Sequence, residues 1–325
     1  MTVLVTGGAG YIGSHMVLAL LDRGDQVVVI DNLSTGLRDL VNDEAHFVLG
    51  DVGDSALVSR TLRDHRIGAV IHFAGSVVVP ESVANPIRYY ENNTAVSLSL
   101  IKNCVDEGVS NFVFSSTAAV YGAVTQPKVT EDSDKTPINP YGRSKLMTEE
   151  ILADVARAHD FRYNALRYFN VAGADPLGRT GQSTPKATHL IKRACQVALG
   201  RVPYLDIFGV DFPTPDGTGV RDYIHVTDLV DAHVLALNAL RGGASSNVYN
   251  CGYGRGLSVR DIVRAVEKAT GESLAVREME RRPGDPPMII SESARLSEKL
   301  GWRARHADID AIVSSALAWE RRLAD

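Results

Sequence analysis

Cysteine is scarce in this sequence, with three residues among 325, and its pattern excludes small domains held by disulfides. Cys104, Cys195 and Cys251 lie far apart and form no C-x-x-C pair, so the sequence offers neither a disulfide framework nor a zinc site. The nine histidines include no H-x-x-x-H pair, the spacing that places two zinc ligands on one helix face. We therefore expect no metal site and a reducing compartment.

Long apolar runs are also missing. No stretch approaches the length of about 20 residues that is needed to span a bilayer. The first apolar run, Met1–Thr6, is short and leads directly into a glycine motif, which is unlike a signal peptide. The formal net charge of −5 disfavours a nucleic-acid binder that relies on a broad basic surface. These features predict a cytoplasmic protein with neither a membrane nor a nucleic-acid partner.

The sequence does contain an alternation of short apolar runs and amphipathic stretches, within a composition (45% hydrophobic, 22% charged) that is ordinary for globular proteins. The predicted strands are Thr2–Thr6, Gln26–Ile30, His46–Leu49, Ala69–Phe73, Asn111–Ser115 and Tyr163–Arg167. The predicted helices between them are Ser14–Arg23, Ser55–Asp64, Tyr89–Glu107 and Pro140–His159. Strands rich in Val, Ile and Phe that alternate with helices are typical of a parallel sheet covered on both faces. This half predicts an α/β fold with a Rossmann-type doubly wound parallel sheet.

The pattern changes after about Asn170. Gly, Pro and Thr are frequent in Val171–Pro185 and Phe212–Gly219, which predicts loops, and loops beside a rigid sheet often form ligand sites. Helices are predicted again at Thr188–Leu199, Val226–Leu240, Ser258–Thr270 and Ala311–Arg322. We expect a sheet domain in residues 1–170 and a smaller C-terminal α/β substrate-binding lobe in residues 171–325, with some later segments returning to the first domain.

A glycine motif follows the first predicted strand. In the segment TGGAGYIG, the residues Gly7, Gly10 and Gly13 are three positions apart, between a strand and a helix. Gly7 permits a tight turn, Gly10 lets the backbone approach a pyrophosphate, and Gly13 lets the helix pack closely on the strand. Asp31 ends the second strand, where its carboxylate can accept hydrogen bonds from the adenosine ribose and would repel a 2′-phosphate. The motif predicts NAD, and the nearby Arg38 leaves NADP as the alternative.

Tyr141 and Lys145 are four residues apart in a predicted helix, so both side chains lie on one face. An ammonium close to a phenol favours the phenolate, so we expect the pKa of Tyr141 to lie below its usual value of about 10. The hydroxyl-rich segment Ser115–Gly122 follows a predicted strand and should emerge at the carboxyl edge of the sheet, where ligands bind in such folds. A hydroxyl there can bind a substrate oxygen and relay its proton to the tyrosine. The pattern favours hydride chemistry on a bound substrate.

Further segments carry a family resemblance. They are TGGAGYIGSH (Thr6–His15), DNLSTG (Asp31–Gly36), GDVGD (Gly50–Asp54), IHFAG (Ile71–Gly75), ESVANP (Glu81–Pro86), RYFNVAGADP (Arg167–Pro176), IFG (Ile207–Gly209), DGTGVRDYIHV (Asp216–Val226) and RRPGD (Arg281–Asp285). Together with the tyrosine–lysine pair they resemble the extended short-chain dehydrogenase/reductase superfamily. Over nearly its whole length the chain is similar to UDP-glucose 4-epimerases, and RYFN, DGTGVRDYIHV and RxGD are the segments most specific to that group.

The resemblance implies a set of site residues. The residues implied for NAD are Gly7, Gly10, Tyr11, Ile12, Gly13, Asp31, Asn32, Ser34, Asp51, Val52, Phe73, Ala74, Gly75, Asn93, Ser115, Tyr141, Lys145 and Tyr168, with Asp51 and Val52 at the adenine. The implied catalytic residues are Thr117, Tyr141 and Lys145. Those implied for the UDP-sugar are Thr117, Tyr141, Asn170, His189, Leu190, Phe208, Arg221, Tyr223, Arg282 and Asp285. Arg221 and Arg282 can neutralise a diphosphate, and Asp285 can accept from the uridine ribose.

The implied activity is reversible C4 epimerisation of UDP-glucose and UDP-galactose through a 4-keto intermediate, with tightly bound NAD. UDP-N-acetylglucosamine, UDP-xylose and UDP-glucuronate stay open as substrates. A dehydrogenase that releases NADH stays open as well. A dehydratase is disfavoured because Ala118 and Ala119 stand where 4,6-dehydratases carry an Asp-Glu pair. A non-catalytic NAD sensor is disfavoured because Tyr141 and Lys145 are both present. The resemblance also implies a homodimer, whose interface the predicted helices Tyr89–Glu107 and Pro140–His159 would form.

Several positions depart from the epimerase pattern. Thr117 replaces the usual serine but keeps the hydroxyl. Val77 stands where many members have a lysine near the pyrophosphate, Val171 replaces a common proline, and Lys192 stands in a helix where a proline often follows the His-Leu pair. Ile289 falls near the position that commonly gates N-acetylated sugars, so acceptance of these sugars stays open.

Overall fold

The computed structural model describes residues 1–124, 126, 128–184 and 188–323. The strands in this part of the chain are β1 (Thr2–Thr6), β2 (Gln26–Asp31), β3 (His46–Leu49), β4 (Ile67–His72), β5 (Asn111–Thr117), β6 (Arg162–Tyr168), β7 (Asn170–Ala172), β8 (Leu205–Phe208), β9 (Val220–His225), β10 (Asn247–Cys251), β11 (Gly256–Ser258), β12 (Val276–Met279) and β13 (Met288–Ile289).

The α-helices of the same residues are α1 (Tyr11–Leu21), α2 (Ser55–Asp64), α3 (Val79–Ala84), α4 (Pro86–Tyr89), α5 (Val96–Asp106), α6 (Pro140–Ala158), α7 (Leu190–Ala198), α8 (Val226–Arg241), α9 (Val259–Thr270), α10 (Ala294–Leu300) and α11 (Ile309–Arg322). A π-helix spans Tyr90–Ala95, and short 3₁₀ helices span Arg38–Leu40 and Ala118–Val120.

The main sheet is parallel throughout, with the strand order β10-β6-β5-β4-β1-β2-β3 in the described residues. Its strands alternate between two cores, since Val3 and Val5 face the side of α1 and α8 while Leu4 faces the side of α2, α5 and α6. Helices therefore cover both faces, and the predicted doubly wound α/β sheet is confirmed. Ligands of such sheets bind at the carboxyl ends of the strands, near the place where the strand order reverses between β1 and β4.

The C-terminal part builds smaller sheets around β9. Strands β7 and β13 pair with β9 in parallel and β11 pairs with it antiparallel, while β8 and β12 form a separate parallel pair. Helices α7, α9 and α11 pack on these strands around a core that includes Ile191, Ile262 and Leu317. Strand β10 returns to the main sheet beside β6. The domain division at residue 170 stays a prediction.

Helix α6 begins where its sequence places a start signal. Asn139 caps the helix by accepting a hydrogen bond from Gly142 N at 2.8 Å, and Pro140 occupies the first turn. This start puts Tyr141 and Lys145 in the first two turns, next to the end of β5. The cap thereby determines where α6 begins and hence where Tyr141 lies relative to the end of β5.

The helical stretch predicted over Tyr89–Glu107 is confirmed, but it is not a regular α-helix throughout. The structure divides this stretch into α4, the π-helix and α5. The wider π turn is explained by Asn93, whose side chain it buries against the loop that contains Ser76 and against α6. Asn93 Oδ1 accepts from Ser76 N at 2.8 Å, and its Nδ2 donates to Ser76 O at 3.0 Å and Ser144 Oγ at 3.1 Å. Such π segments are frequent at functional sites.

Candidate active site

The turn between β1 and α1 leaves room for a phosphate group. Gly7 has a φ of +70°, and a Cβ there would lie 2.7 Å from Ala74 N. A Cβ on Gly13 would lie 2.1 Å from Gly7 O, whereas a Cβ on Gly10 would meet Gly7 O at 3.2 Å and otherwise open space. Helix α1 begins without a side-chain cap and without an acidic residue in its first turn. Its free N–H groups fit the pyrophosphate of a dinucleotide.

Asp31 is fixed beside this turn. Its Oδ2 accepts from Ala9 N at 3.0 Å and its Oδ1 accepts from Leu33 N at 2.8 Å. The carboxylate is thus held at the end of β2, as the prediction of a ribose acceptor requires. Arg38, the residue that kept NADP open, is turned to other partners: its guanidinium donates to Val41 O at 2.9 Å and lies over the Phe47 ring. This arrangement favours NAD.

The predicted adenine contacts lie at the neighbouring ends of β2 and β3. Asn32 Nδ2 donates to Asp51 Oδ2 at 2.8 Å, and Asn32 Oδ1 accepts from Ser34 N at 3.0 Å. Asp51 Oδ1 also accepts from Gly53 N at 2.7 Å, while Val52 is buried in the core next to α2. The structure therefore brings Asn32, Ser34 and Asp51 together at one rim of the site.

The loop between β4 and α3 lies close to the glycine turn at one end and to α6 at the other. Phe73 N donates to Thr6 O at 3.0 Å, which keeps Phe73 and Ala74 at the sheet edge. A Cβ on Gly75 would lie 3.0 Å from Asn93 Oδ1 and 3.6 Å from Lys145 Nζ. This glycine therefore lets the loop pass close to Lys145. The phosphate turn and Lys145 thus border the same loop.

The three predicted catalytic residues converge at the end of β5. Thr117 is the last residue of β5, and Tyr141 and Lys145 face it from α6. Lys145 Nζ donates to Ser115 O at 3.1 Å and lies over the Phe114 ring, and the side chain is 3% exposed. The Thr117 hydroxyl contacts the Tyr141 phenol. A carbinol placed here would meet a proton acceptor, a second hydroxyl and a cation.

The prediction that the pKa of Tyr141 lies below its usual value is wrong for the protein without a bound ligand. Burial raises the pKa of Tyr141 above its ordinary value of 10.0, and the contact with the Thr117 hydroxyl only partly opposes this increase. Burial also lowers the pKa of Lys145 to about 8, and the Glu149 carboxylate opposes that decrease. The spacing of the pair did not reveal that desolvation acts on both groups and that Lys145 donates to Ser115 O.

Two more tyrosines support this centre. The Tyr168 hydroxyl hydrogen-bonds to Ser115 Oγ, so Ser115 binds Lys145 with its carbonyl and Tyr168 with its side chain. The Tyr89 ring packs edge-on against the Tyr141 ring, with centroids 6.4 Å apart. Sequence reasoning found Tyr168 through the family but missed Tyr89, which no motif marked.

A small cavity of about 40 Å³ lies between the start of α1 and the elements β7, α7 and β9. Its lining residues are Tyr11, Asn170, Val171, Ala172, Gly173, Gln182, His189, Leu190, Ile191, Lys192, Tyr223 and Ala316. The predicted substrate residues Asn170, His189, Leu190 and Tyr223 therefore share one cavity. Tyr11 connects α1 to the residues after β7, since its hydroxyl donates to Gly173 O at 2.6 Å. Gln182, which sequence reasoning missed, bonds His189 Nδ1 at 3.1 Å.

The other predicted substrate residues form a second group. The Arg282 guanidinium lies 3.6 Å from the centre of the Phe208 ring, and burial lowers the pKa of Arg282 from its ordinary value. Arg221 Nη2 lies 4.0 Å from Asp285 Oδ1. Arg221 and Tyr223 alternate along β9 and thus share one face of that strand. Strand β9 thereby links the arginine group to the cavity.

Comparisons with known proteins agree with this geometry. Residues 3–252 match the model of the NAD dependent epimerase/dehydratase family. The chain belongs to this family. A UDP-glucose 4-epimerase of Azospirillum brasilense is 58% identical over 321 residues, which cover 99% of this chain and 92% of the relative. The resemblance found in the sequence is thus confirmed.

Solved structures of epimerases share the whole fold. A UDP-glucose 4-epimerase from Brucella ovis in complex with NAD is 45% identical, with a TM-score of 0.94 and 98% of each chain covered. One from Bifidobacterium longum in complex with NAD⁺ and UDP is 38% identical, with a TM-score of 0.93, and covers 99% of this chain and 98% of its own. As a member of the epimerase/dehydratase family with these relatives, the chain uses NAD as its cofactor.

The departures from the epimerase pattern have different structural settings. Lys192 is buried, and its Nζ bonds the Glu320 carboxylate and donates to Gln182 O at 2.6 Å. Val171 is buried in β7, and Ile289 is buried against the residues that follow Thr117. Val77 is 54% exposed. Lys192 therefore acts as a structural cation, while Val77 leaves an apolar side chain at the surface.

Two further features concern the described residues as a whole. None of their His, Cys, Asp and Glu side chains forms a group of three or more that could hold a metal ion. None of their helices is both long and apolar enough to cross a membrane.

Buried histidines predict a loss of stability in acid. Burial lowers the pKa of His15, His189, His225 and His233 to about 4 and that of His72 to about 3, from an ordinary value of 6.5. As the pH falls from 6.5 towards 4, the unfolded chain binds more protons than the folded chain, so the free energy of unfolding falls. Each histidine contributes up to about 1.4 kcal/mol per pH unit.

The expected result is a melting temperature about 10 °C lower at pH 5 than at pH 7, measured by calorimetry. Replacing the fully buried His233 (H233Q) should reduce the pH dependence, whereas replacing the exposed His159 (H159Q) should leave it unchanged. A melting temperature that stays constant between pH 7 and pH 5 would contradict this assignment.

Proposed function

We propose that the chain interconverts UDP-glucose and UDP-galactose at C4 with bound NAD. One observation carries the proposal: Tyr141 and Lys145 of α6 lie against the end of β5, where Lys145 Nζ donates to Ser115 O and the Tyr141 phenol contacts the Thr117 hydroxyl. The full-length similarity to UDP-glucose 4-epimerases supports the same activity. The chain is therefore an NAD-dependent enzyme that performs C4 epimerisation on UDP-glucose.

When bound, NAD supplies a hydride acceptor and donor beside the sugar C4. In our proposal Tyr141, as its phenolate, takes the proton of the 4-hydroxyl and later returns it. The Thr117 hydroxyl bonds the same sugar oxygen and shortens the path of the proton. Lys145 places a positive charge beside the reacting oxygen and lowers the cost of a phenolate in this buried site. The positive charge of oxidised NAD adds to this effect, which offsets the cost of burial.

The nucleotide part of the substrate would be held away from the reacting carbon. Arg221 and Arg282 lie in the second group of substrate residues, where they can bond a diphosphate. Anchoring the diphosphate leaves the 4-keto sugar free to turn, so that either ring face can meet the hydride donor. Binding energy is then used for positioning rather than for holding the sugar in one orientation.

The arginine anchors predict a change in KM. Replacing Arg282 with methionine (R282M) removes a charge-assisted bond worth about 1.5–3 kcal/mol, so KM for UDP-glucose should increase about 10- to 150-fold. The kcat should change less, because the hydride and proton steps lie elsewhere. Arg277, which lies over the exposed Tyr204 ring on the same lobe, offers a matched control (R277M) with an unchanged KM. Steady-state kinetics that show an unchanged KM in R282M would contradict the anchor.

The direct test is the reaction itself. Purified chain with NAD should convert UDP-glucose to UDP-galactose without net accumulation of NADH. Failure to form any 4-epimer, or continued formation of NADH, would contradict the proposal. A parallel assay with UDP-N-acetylglucosamine and UDP-xylose measures how far the buried Ile289 narrows the choice of sugar.

We also propose that the enzyme is a cytoplasmic homodimer. Exposed apolar side chains lie on the helices predicted for the interface, with Leu98 on α5 and Met147 on α6, and Val83 and Ile87 lie nearby on α3 and α4. Such a patch is typical of a protein interface. Light scattering should give about twice the chain mass of 35.1 kDa, and the single chain mass would contradict the dimer. The three cysteines are free and buried, as suits a reducing compartment.

A further inference from the structure

A buried ion pair lies directly behind the catalytic residues and takes no part in the proton steps. Glu149 of α6 and Arg167 of β6 are 5% and 3% exposed. Arg167 Nε donates to Glu149 Oε1 at 3.0 Å, and Arg167 Nη2 donates to Glu149 Oε2 at 2.5 Å. The planar guanidinium thus forms a bidentate contact with both carboxylate oxygens, and this contact holds α6 against the main sheet.

The pair also reaches the strand that carries the catalytic threonine. Ser116 and Arg167 are directly opposite each other in the register of β5 and β6, so their side chains share one face. Ser116 Oγ donates to Glu149 Oε1. Ser116 lies between Ser115, whose carbonyl accepts from Lys145, and Thr117. The carboxylate of Glu149 is therefore bonded to the middle residue of the catalytic strand end.

On the helix side, Glu149 follows Lys145 by one turn and Tyr141 by two turns. The three side chains lie on one face of α6, and all three are buried. A shift of Glu149 along or away from the sheet would thus move the tyrosine and the lysine with it. The ion pair joins the two elements whose spacing defines the catalytic centre.

The third nitrogen of the guanidinium, Nη1, is bonded as well. Arg167 Nη1 donates to the Tyr121 hydroxyl at 2.9 Å and to Glu131 O at 3.2 Å. The Tyr121 hydroxyl in turn donates to Asn250 Oδ1 at 2.6 Å, on β10. These bonds leave the guanidinium one orientation, since each of its nitrogens has a fixed acceptor.

Burial of such a pair is a poor source of stability, because the cost of desolvating two charges offsets much of their attraction. Replacement of a buried ion pair by well-packed apolar residues is often neutral for the free energy of unfolding. What the charged pair adds is directional bonding, which fixes distances more narrowly than apolar contacts do. Its location next to the reacting groups makes this directionality useful for catalysis.

We propose that Glu149, locked by Arg167 and bonded to Ser116, is a positioning residue that sets the spacing between Thr117 on β5 and the Tyr141–Lys145 pair on α6. The inference rests on the proposed function for its kinetic readout. It predicts that loosening the Glu149 contacts reduces the rate of the chemical step without weakening the binding of UDP-sugar or NAD.

The test uses two variants of the holoenzyme. Ser116→Ala removes one bond to Glu149 and leaves the ion pair in place, so it should fold normally. Its kcat should fall about tenfold, with KM within about twofold of the original value. Glu149→Gln removes the charge as well, and its kcat should fall about 100-fold per folded, NAD-loaded enzyme, together with a lower melting temperature.

The matched control is Asp25→Asn, which breaks the partly buried pair Arg241–Asp25 between the end of α8 and the start of β2, at the edge of the main sheet opposite the site. It should lower the melting temperature while kcat stays within about twofold. If Ser116→Ala and Glu149→Gln also keep kcat within about twofold per folded holoenzyme, the pair is merely structural and the inference is overturned.

A second readout is independent of turnover. The titratable groups that face Lys145 are Tyr141 and Glu149 on α6 and His72 on β4, and the pKa of His72 is lowered to about 3 by burial and by Lys145. The NMR signal of the Lys145 side chain, identified by its loss in Lys145→Met, should titrate near pH 8. In Glu149→Gln this pKa should fall by about one unit. An unchanged pKa of Lys145 in Glu149→Gln would overturn the inference. Failure of the wild-type chain to convert UDP-glucose is a separate result, and it would contradict the proposed function.

Discussion

Replacing Tyr141 with phenylalanine is expected to lower kcat by about 10²- to 10⁴-fold, the range typical of a lost general acid–base group. The phenolate oxygen of Tyr141 is the proton acceptor of the proposed reaction, and Tyr141 is buried with the Thr117 hydroxyl as its hydrogen-bonding neighbour. The remaining ring keeps its edge-on contact with Tyr89, so the fold should be retained. KM for UDP-glucose and the amount of bound NAD should change little.

Tyr204 provides a matched control for this substitution. It lies on the C-terminal lobe, partly exposed, with Arg277 over its ring. Tyr204→Phe removes a hydroxyl of the same kind and should leave kcat unchanged. If Tyr141→Phe retains kcat within about fivefold while its melting temperature and NAD content are normal, Tyr141 is not the proton acceptor.

The second large effect is expected at the glycine turn. A Cβ on Gly10 would meet Gly7 O at 3.2 Å, so Gly10→Ala should fold with only a small adjustment. The same Cβ would occupy the space through which a pyrophosphate approaches the first turn of α1. We expect NAD affinity, measured by calorimetric titration, to fall at least about 100-fold, which corresponds to about 2.8 kcal/mol.

Two other glycines separate loss of cofactor from loss of fold. Gly13→Ala would place a Cβ 2.1 Å from Gly7 O, so it should lower both NAD affinity and the melting temperature of the NAD-free protein. Gly242 ends α8 far from the turn, and a Cβ there would meet its nearest atoms at 3.4 Å. Gly242→Ala should therefore change neither property. Unaltered NAD affinity in Gly10→Ala would contradict the placement of the pyrophosphate.

The main sheet could be predicted because its strands carry a strong signal. Strands such as Val3–Val5 in β1 are buried on both faces and flanked by turns, and the predicted bounds Thr2–Thr6 and His46–Leu49 match β1 and β3. The strands after β6 were not predicted, and several of them are short or exposed. β13 has two residues, and β12 is exposed along its length. Their order depends on pairing with β8 and β9, which no local pattern encodes.

The candidate site was only partly predictable from local patterns. The glycine spacing and Asp31 indicated the dinucleotide turn, because strand, turn, helix and acid occur in a fixed order. The substrate residues came from the family resemblance, since Arg221 and Arg282 alone look like surface charges. Neither source revealed that burial raises the pKa of Tyr141. The pKa of Tyr141 depends on how completely the surrounding residues exclude water from its hydroxyl, which no local sequence pattern shows.

The Glu149–Arg167 pair shows another limit of sequence reasoning. The sequence places Arg167 at the end of a predicted strand and in the RYFN segment, and Glu149 within a predicted helix, but no motif pairs them. The two residues are 18 positions apart and meet because β6 lies beside β5 under α6. Their importance depends on a tertiary contact, so it became visible only with the structure.

The central claim is that the C4 hydrogen leaves the sugar and returns to the same carbon within one binding event. The most direct measurement uses UDP-glucose that carries deuterium at C4, incubated with the NAD-loaded protein in ordinary water. Proton NMR of the UDP-galactose formed should show deuterium retained at C4, because the hydrogen moves as a hydride that does not exchange with solvent. Replacement of the deuterium by solvent protium would contradict hydride transfer at this site, and so would the absence of any UDP-galactose.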